Sequence, residues 1–498
     1  MAPFIFFGIF FYLPIGKIIV DGLSGAFWSN LVSQRTLSAL WFTIWQATVS
    51  AGLSCAVAIP LAYFLYRTTF SGYRTIRALI SIPFVLPNIV VAISMKAIFP
   101  GATGAIYIVL ANLFMNYGIA TRLIGNAWKS LDSQCESAAA LDGAGRFRTA
   151  LSISLPQLRK AITSAFLLIF VYCAANFGIV LTLGTPRTRT LETEIYSAAT
   201  YDLDFKRASA LVGLQLLLAI LILTAAHFVA RRTASDTRQR SFPKPLDIRD
   251  LPVTIYAIVS FTLLFLTPIL TLIARAFRHN YHWSFANFTL LDSSQTQSLL
   301  NITFGAAAWN SIRNCLVVLV LSLAIGGLCS YLLTKVRIAE IFFLLPLAIS
   351  SVILGFGYLE TYGSGIFPLR SSWLVLPIAQ SLVVIPLVIR FLVPALTEIN
   401  KEIIESAKLD RADQFVIWWL IQMPLVRRTL LIASSYAVIT SIGDFGAANF
   451  LAYGDQATLP VVLFQLISKP GAYNYGMAMA ASSILIAVCG AIIYLFEL

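Results

Sequence analysis

Two polar stretches interrupt an otherwise apolar sequence, and both combine acids, bases and small residues. The first, ESAAALDGAGRFRTALSISLP, runs from residue 136 to 156, and the second, ESAKLDRADQFVIWWLIQMP, runs from 405 to 424. Charged residues make up only 11% of the chain, so we expect these stretches to leave the apolar surroundings and contact a partner. The sequence contains no set of nucleophile, base and orienting group and no metal-ligand spacing, so we predict neither catalysis nor a metal site.

The composition requires a membrane around most of the chain. Of its 498 residues 58% are hydrophobic, and the mean hydropathy is +0.83, which excludes a soluble globule. Helices of about 20 apolar residues cross a bilayer core, and continuously apolar runs favour helices over a membrane β-barrel. The predicted spans number about twelve, at 4–21, 39–65, 76–98, 103–124, 161–184, 208–230, 251–274, 311–334, 340–358, 372–395, 429–451 and 475–497.

Basic residues indicate the orientation of these spans. Short loops that contain many Lys and Arg residues face the cytoplasm, and they alternate with loops that contain few if the N-terminus lies inside. Both termini are then predicted to be cytoplasmic. The net charge of +13 is explained by topology and by contact with anionic membrane lipid. The basic residues are dispersed among loops, so nucleic acid is not a predicted partner.

The chain contains an internal repeat at a constant offset of 268 residues, which superimposes the two polar stretches. The matched pairs include charged residues, Pro and Gly, a combination that chance in apolar sequence rarely supplies. Both halves begin on the same side, so they are parallel repeats. The identical pairs include Tyr63 and Tyr331, Arg122 and Arg390, Leu141 and Leu409, Asp142 and Asp410, Pro156 and Pro424, Gly178 and Gly446, and Leu191 and Leu459.

One acid, Asp444, lies inside a predicted span, and Asn176 occupies the equivalent place in the first half. A charged side chain at mid-membrane costs about 2.5–3.5 kcal/mol on insertion scales, so it tends to face a polar interior. We therefore expect Asn176 and Asp444 to line a route for a cation, with Asp444 supplying the charge attraction. The alternative is that Asp444 pairs with a basic residue or caps a broken helix between Gly443 and Gly446.

Each polar stretch predicts a short helix, a turn and a second helical segment that Pro ends or bends. In the second stretch Ser406, Ala407 and Ala412 form a surface of small residues on which a partner could dock closely. An amphipathic helix that anchors the loop among lipid headgroups is the alternative. Two copies at equivalent positions favour docking, because a twofold partner needs two equivalent surfaces.

At these residues the sequence resembles the inner-membrane permeases of binding-protein-dependent ATP-binding-cassette importers. Their loop reads Glu-Ala-Ala, three residues, Gly, and nine residues later Ile-x-Leu-Pro. The second stretch keeps this spacing from Glu405 to Pro424, with Arg411 where Gly is usual. The first keeps Gly143 and Pro156, but Ser137 stands at the Glu position and Glu136 precedes it. These departures leave open whether the two halves engage their partner equally.

The resemblance implies a multi-pass protein of the bacterial inner membrane with two partners. These are two copies of a cytoplasmic ATPase, which would use ATP and Mg²⁺, and an extracytoplasmic substrate-binding protein. The chain contains no G-x-x-x-x-G-K-[ST] phosphate loop, in keeping with an ATPase on a separate chain and no cofactor on this one. The residues expected to contact the ATPase are Glu136, Ser137, Ala139, Asp142, Gly143, Pro156, Glu405, Ser406, Ala407, Asp410, Arg411 and Pro424.

The resemblance further implies an all-α fold of two parallel six-helix halves, the type I importer permease fold. We expect a first half at 1–230 with its coupling loop at about 126–160, a cytoplasmic linker at 231–250, and a second half at 251–498 with its loop at about 396–428. The segments ANFGIVLTLG and SIGDFGAANFLA resemble the branch that handles thiamine or ferric iron. Thiamine is the expected cargo, ferric iron the alternative, and a secondary transporter driven by ion gradients the alternative class.

Overall fold

The computed structural model describes residues 1–23, 32–131, 133–231, 244–247, 250–280, 282–293, 296–297, 300–336, 339–363, 372–410 and 412–497. Within these ranges nine helices are long and apolar enough to span a membrane, and counting each of three bent helix pairs as one span gives twelve. The predicted all-α membrane fold with about twelve spans is therefore confirmed.

The first half of the sequence contains twelve helical segments. They are α1 Ala2–Leu23, α2 Gln34–Arg67, α3 Tyr73–Leu79, α4 Ile82–Val85, α5 Asn88–Ile98, α6 Ala105–Lys129, α7 Ser133–Leu141, α8 Arg146–Thr149, α9 Ala150–Ala174, α10 Phe177–Leu183, α11 Leu191–Thr200 and α12 Phe205–Arg231.

The second half continues with α13 Leu251–Ala276, α14 Ala286–Thr289, α15 Phe304–Lys335, α16 Glu340–Leu344, α17 Ser351–Tyr362, α18 Val375–Thr397, α19 Lys401–Leu409, α20 Ile417–Leu425, α21 Arg427–Gly443, α22 Gly446–Leu451, α23 Leu459–Ser468 and α24 Ala472–Glu497. Two-residue strands form two small ladders. β1 Thr68–Thr69 pairs in parallel with β2 Lys244–Pro245, and β3 Arg278–His279 pairs antiparallel with β4 His282–Trp283.

Two of the predicted spans are sharply bent. The helices within 76–98 meet at an angle of 101°, and those within 340–358 meet at 100°. At the first bend Leu86 has extended backbone before Pro87, because Pro disfavours the helical conformation in the residue that precedes it. At the second, Ile349 is extended and the Ser350 hydroxyl caps α17. Continuous apolar composition did not reveal either break.

The helices form two compact units whose bounds differ from those of the sequence repeat. One unit contains Val32–Glu194 and Leu217–Ser284, and the other contains Met1–Leu31, Ile195–Leu216 and Phe285–Leu498. In each unit the first helix of one sequence half packs with helices of the other half. Within the first unit Tyr256 of α13 donates a hydrogen bond to the Val57 carbonyl of α2 at 3.0 Å. The predicted halves 1–230 and 251–498 remain a prediction about the duplication.

A π-helical turn at Gly8–Tyr12 fixes α1 to α17 within the second unit. A π turn widens the hydrogen-bond ladder and leaves backbone carbonyls accessible to other donors. The Tyr362 hydroxyl donates to the Ile9 carbonyl at 2.7 Å, and the Tyr358 hydroxyl donates to the Phe10 carbonyl at 2.8 Å. The helix is thus joined to its neighbour by directed hydrogen bonds as well as by apolar packing.

Small residues allow close packing of α2, α6 and α9 in the unit that contains all three. Ala47, Ala51, Ala58 and Ala62 of α2 are buried in the contact with α6 and α9. Gly118 of α6 lies against the backbone of α3, and a Cβ there would stand 1.8 Å from the Ile80 carbonyl oxygen. Association of membrane helices depends on such close approach.

We expect Gly118→Ala to lower the free energy of unfolding by about 3 kcal/mol, because the obstructing atom belongs to the backbone and cannot rotate away. Thermal unfolding of the purified protein in detergent would measure the loss. Gly52→Ala in α2 is the matched control, since no atom lies within 4 Å of its Cβ position. Equal melting temperatures for the two variants would contradict the prediction.

Candidate functional site

The first polar stretch folds as α7, a tight turn and α8. The turn follows Leu141 and uses a left-handed residue, Gly143, with φ of +76°. The Ala144 N–H donates to the Ala139 carbonyl at 2.9 Å, and the Asp142 N–H donates to the Ala138 carbonyl at 3.1 Å. This is the helix ending that Gly favours, because Gly adopts positive φ without steric cost.

The second polar stretch ends its helix with the same backbone bonds. The Ala412 N–H donates to the Ala407 carbonyl at 3.0 Å, and the Asp410 N–H donates to the Ser406 carbonyl at 3.1 Å. These acceptors and donors are the 268-residue equivalents of those in the first stretch. Arg411, which replaces Gly143, lies outside the described residues. The two turns therefore share their hydrogen bonds despite their different sequences.

Both turns expose a large aliphatic side chain at the same position. Leu141 is 89% exposed and its equivalent Leu409 is 85% exposed. Of the other predicted contact residues, Asp142, Gly143, Pro156, Glu405, Ser406, Asp410 and Pro424 are exposed, Ala407 is half-buried and Ala139 is buried. The side chain of Ser137 lies outside the described part. Sequence reasoning recognised the two loops and paired Leu141 with Leu409, but it assigned these residues no contact role.

Glu136 points into the protein, whereas Glu405 is exposed. One Glu136 carboxylate oxygen forms an ion pair with Arg67 at the end of α2. The other oxygen accepts a hydrogen bond from the Ser154 hydroxyl at 2.9 Å. The one-residue shift of this acid in the sequence is therefore accompanied by a different orientation. Direct contact of Glu136 with an ATPase stays a prediction that the geometry does not favour.

A π-helical segment precedes the Pro of each loop. The segments are Ala150–Ser154 before Pro156 and Ile417–Gln422 before Pro424. Pro has no N–H and its ring crowds the preceding turn, so a wider turn relieves that contact. In the second loop a bend of 76° separates α20 from α21, which confirms the predicted bend near Pro424.

Asn176 and Asp444 each lie at a break after a long helix. Asn176 Oδ1 accepts a hydrogen bond from the Ile179 N–H at 3.4 Å and caps α10. Asp444 Oδ1 accepts one from the Ala447 N–H at 3.4 Å, at the start of α22. The predicted spans at 161–184 and 429–451 are consequently not continuous. Capping of a broken helix, the alternative considered for Asp444, is present in the structure.

Each of these residues also belongs to a buried polar cluster of its own unit. Asn176 Nδ2 donates to Asn112 Oδ1 at 2.8 Å, and Asn112 Nδ2 donates to Gln46 Oε1 at 3.0 Å. In the other unit Gln380 Nε2 donates to Asp444 Oδ2 at 3.1 Å. Sequence reasoning missed Asn112 and Gln380, although the 268-residue offset pairs them. A common route lined by Asn176 and Asp444 remains a prediction.

The repeat extends to hydrogen bonds that fix the helices after these breaks. The Leu191 N–H donates to the Thr43 hydroxyl at 2.9 Å, and the Leu459 N–H donates to the Ser311 hydroxyl at 2.9 Å. Both donor and acceptor are separated from their counterparts by 268 residues. The two halves thus share specific polar contacts as well as an apolar pattern.

Comparison with known proteins identifies the kind of chain that shares these features. Residues 57–278 match the family described as binding-protein-dependent transport system inner membrane component. The chain is 27% identical to a thiamine transport system permease protein of Brucella abortus over 97% of its own length and 95% of the relative's. A thiamine transport system permease protein of Escherichia coli is 25% identical, with coverage of 91% and 88%.

A ferric transport system permease protein of Actinobacillus pleuropneumoniae is 24% identical over 78% of this chain and 58% of its own length. A crystal structure of a bacterial ABC transporter that imports the acidic polysaccharide alginate covers 47% of this chain and 94% of its own, with 16% identity and a TM-score of 0.40. The predicted resemblance to importer permeases of the thiamine and ferric iron branch is confirmed by the family match and the permease relatives.

Proposed function

We propose that this importer permease of the thiamine and ferric iron branch moves thiamine across the inner membrane, driven by ATPase subunits that dock on its two polar loops. The paired exposure of Leu141 and Leu409, at the tips of turns with the same hydrogen bonds, is the observation that carries this proposal. A large aliphatic side chain that is almost fully exposed outside the apolar spans calls for a partner that covers it.

Two equivalent loops fit two copies of one ATPase. Burial of each Leu in a cleft of its ATPase would contribute about 1.5–3 kcal/mol, and the exposed Ser406 allows close approach of the helix. ATP and Mg²⁺ would be used by the ATPase, and this chain would bind neither. Closure of the ATPase pair on ATP would draw the two loops together and rock the permease between its inward-open and outward-open states.

This role requires the two loops to lie on the cytoplasmic side, together with both termini. The dispersed basic residues of the neighbouring loops support that orientation. A substrate-binding protein would then deliver cargo to the opposite face, as the name of the matching family indicates.

Thiamine is favoured as cargo by the extent of the similarity. The thiamine permease of Brucella abortus aligns over 95% of its length, whereas the ferric permease aligns over 58% of its own. Asp444, which lies at a helix break within a polar cluster, would attract the positive charge of thiamine. Ferric iron remains the alternative cargo, because the same charge would attract it.

Uptake into proteoliposomes tests this proposal. The permease is reconstituted with its ATPase and binding protein, ATP is enclosed with the ATPase, and radiolabelled thiamine or ferric ion is added with the binding protein. We expect thiamine uptake that needs ATP and the binding protein and that ionophores do not alter. Uptake of ferric ion alone would support the alternative cargo, and uptake driven by an ion gradient without ATP would identify a secondary transporter.

A further inference from the structure

The Arg67–Glu136–Ser154 contact joins three segments that are distant in sequence. Arg67 is the last residue of α2, Glu136 lies in α7, and Ser154 closes the π-helical segment before Pro156. Both carboxylate oxygens of Glu136 are engaged, one by the Arg67 guanidinium and one by the Ser154 hydroxyl. The loop helix α7 is therefore attached to the end of a membrane helix and to the segment that follows the loop.

This contact is shielded from water. The Arg67 side chain is 6% exposed and that of Glu136 is 18% exposed, and Ser154 is buried. An ion pair held away from solvent is screened weakly, and removal of one partner leaves an uncompensated charge. The contact is thus unlike a surface salt bridge, which contributes little.

The end of α2 is itself held firmly. Thr68 and Thr69 pair with Lys244 and Pro245, which places the returning linker beside Arg67. Arg77 Nε donates to the Leu65 carbonyl at 2.7 Å, and its guanidinium lies 4.2 Å from the centre of the Tyr66 ring. Arg67 therefore projects from a fixed point toward α7.

The second half cannot form the same contact. The residues 268 positions after Arg67, Glu136 and Ser154 are Lys335, Ile404 and Gln422. Ile404 has no charge to offer, and the exposed Lys335 lies over the Tyr331 ring at 4.6 Å. Gln422 Oε1 accepts no hydrogen bond within the described part of the chain. The two loops share their turn geometry but differ in their attachment.

We propose that Arg67 is a positioning residue that locks the first loop helix, α7, to α2 through Glu136, while the second loop helix, α19, carries no such lock. The lock transmits movement of α7 directly to α2. Its consequence for transport rests on the proposed docking of an ATPase at the loops, but the attachment itself is a property of the permease alone.

A spin label on Cys135 tests the attachment without the ATPase. Cys135 is exposed and adjacent to Glu136, and the other five cysteines are buried. In the full-length permease in nanodiscs, we expect a weakly mobile label that becomes mobile in Arg67→Met and in Glu136→Gln. The double variant should be no more mobile than either single one, because both changes remove the same interaction. Arg67→Lys should restore part of the immobility.

The second loop provides the matched control. Ile403 is the equivalent of Cys135 and is exposed, so a label on Ile403→Cys in a Cys135→Ser background reports on α19. We expect this label to be mobile already and to be unaffected by Lys335→Met. An unchanged Cys135 label in both Arg67→Met and Glu136→Gln would overturn the proposal, as would additive effects in the double variant.

Transport provides the second measurement. Glu136→Gln keeps the shape of the side chain, and we expect it to reduce uptake per ATP hydrolysed about tenfold while the ATPase stays bound. If variants at Leu141 and Leu409 leave the ATPase attached, the docking proposal fails but the label results still decide the lock. If the label becomes mobile and uptake per ATP is unchanged, the proposed transmission of movement by the lock is wrong.

Discussion

Replacement of Leu141 and Leu409 together by Asp is expected to weaken the affinity of the ATPase for the permease about a thousandfold and to abolish transport. Each change removes an aliphatic side chain whose burial contributes about 1.5–3 kcal/mol, and the two losses add because the loops contact separate subunits. The new carboxylates would also lose solvation in an apolar cleft. Co-purification of the ATPase with the solubilised permease would measure the loss.

Suitable controls separate loss of docking from loss of folding. Leu203→Asp alters a similarly exposed Leu, at 68%, on the loop predicted to face the opposite side, and we expect it to keep the ATPase bound. Because both Leu side chains extend from exposed turns, the double variant should retain the melting temperature of the parent protein. Retention of the ATPase by a folded double variant would contradict docking at these loops.

Asp444→Asn is expected to slow uptake of a cationic cargo about tenfold while the permease stays folded and bound to its ATPase. The Asn side chain can still accept the Ala447 N–H. It can also pair with Gln380 as one amide with another, since the first half already contains such a pair in Asn176 and Asn112. The substitution therefore removes charge and keeps the cap. Initial uptake rates in proteoliposomes, at several cargo concentrations, would measure the effect.

Asp444→Ala provides the contrast, because it removes charge and cap together. Loss of a helix cap costs about 1 kcal/mol, so this variant should unfold at a lower temperature than Asp444→Asn. If Asp444→Asn transports at the parent rate while Asp444→Ala is destabilised, Asp444 is a cap only. The charge would then have no part in attracting the cargo.

Much of the fold follows from local sequence. Continuous apolar runs indicate where helices cross the membrane, and the constant 268-residue offset depends on Pro, Gly and charged positions that apolar drift does not supply. Pro424 predicted the bend of the second loop because its missing N–H acts on its own helix. Such features are decided by residues within one or two turns, so periodicity and residue type are sufficient to find them.

The remaining features depend on contacts between distant residues. The inward orientation of Glu136 depends on Arg67, 69 residues earlier, and the sequence showed only that the acid was displaced by one position. The breaks at Asn176 and Asp444 lie in sequence as apolar as the helices beside them. Asn112 and Gln380 were missed because each is an isolated polar residue in an apolar run, and only the repeat links them to Asn176 and Asp444.

The attachment of α1 by Tyr358 and Tyr362 has a consequence for how the protein is made. Tyr362 follows Ile9 by 353 residues, and at about 5–20 residues per second its synthesis comes roughly 20–70 seconds later. The hydroxyl donors for the Ile9 and Phe10 carbonyls do not exist during that interval. The nascent first helix must therefore wait in the bilayer with its π turn unsupported, and its assembly is completed only when the ribosome is well into the second half.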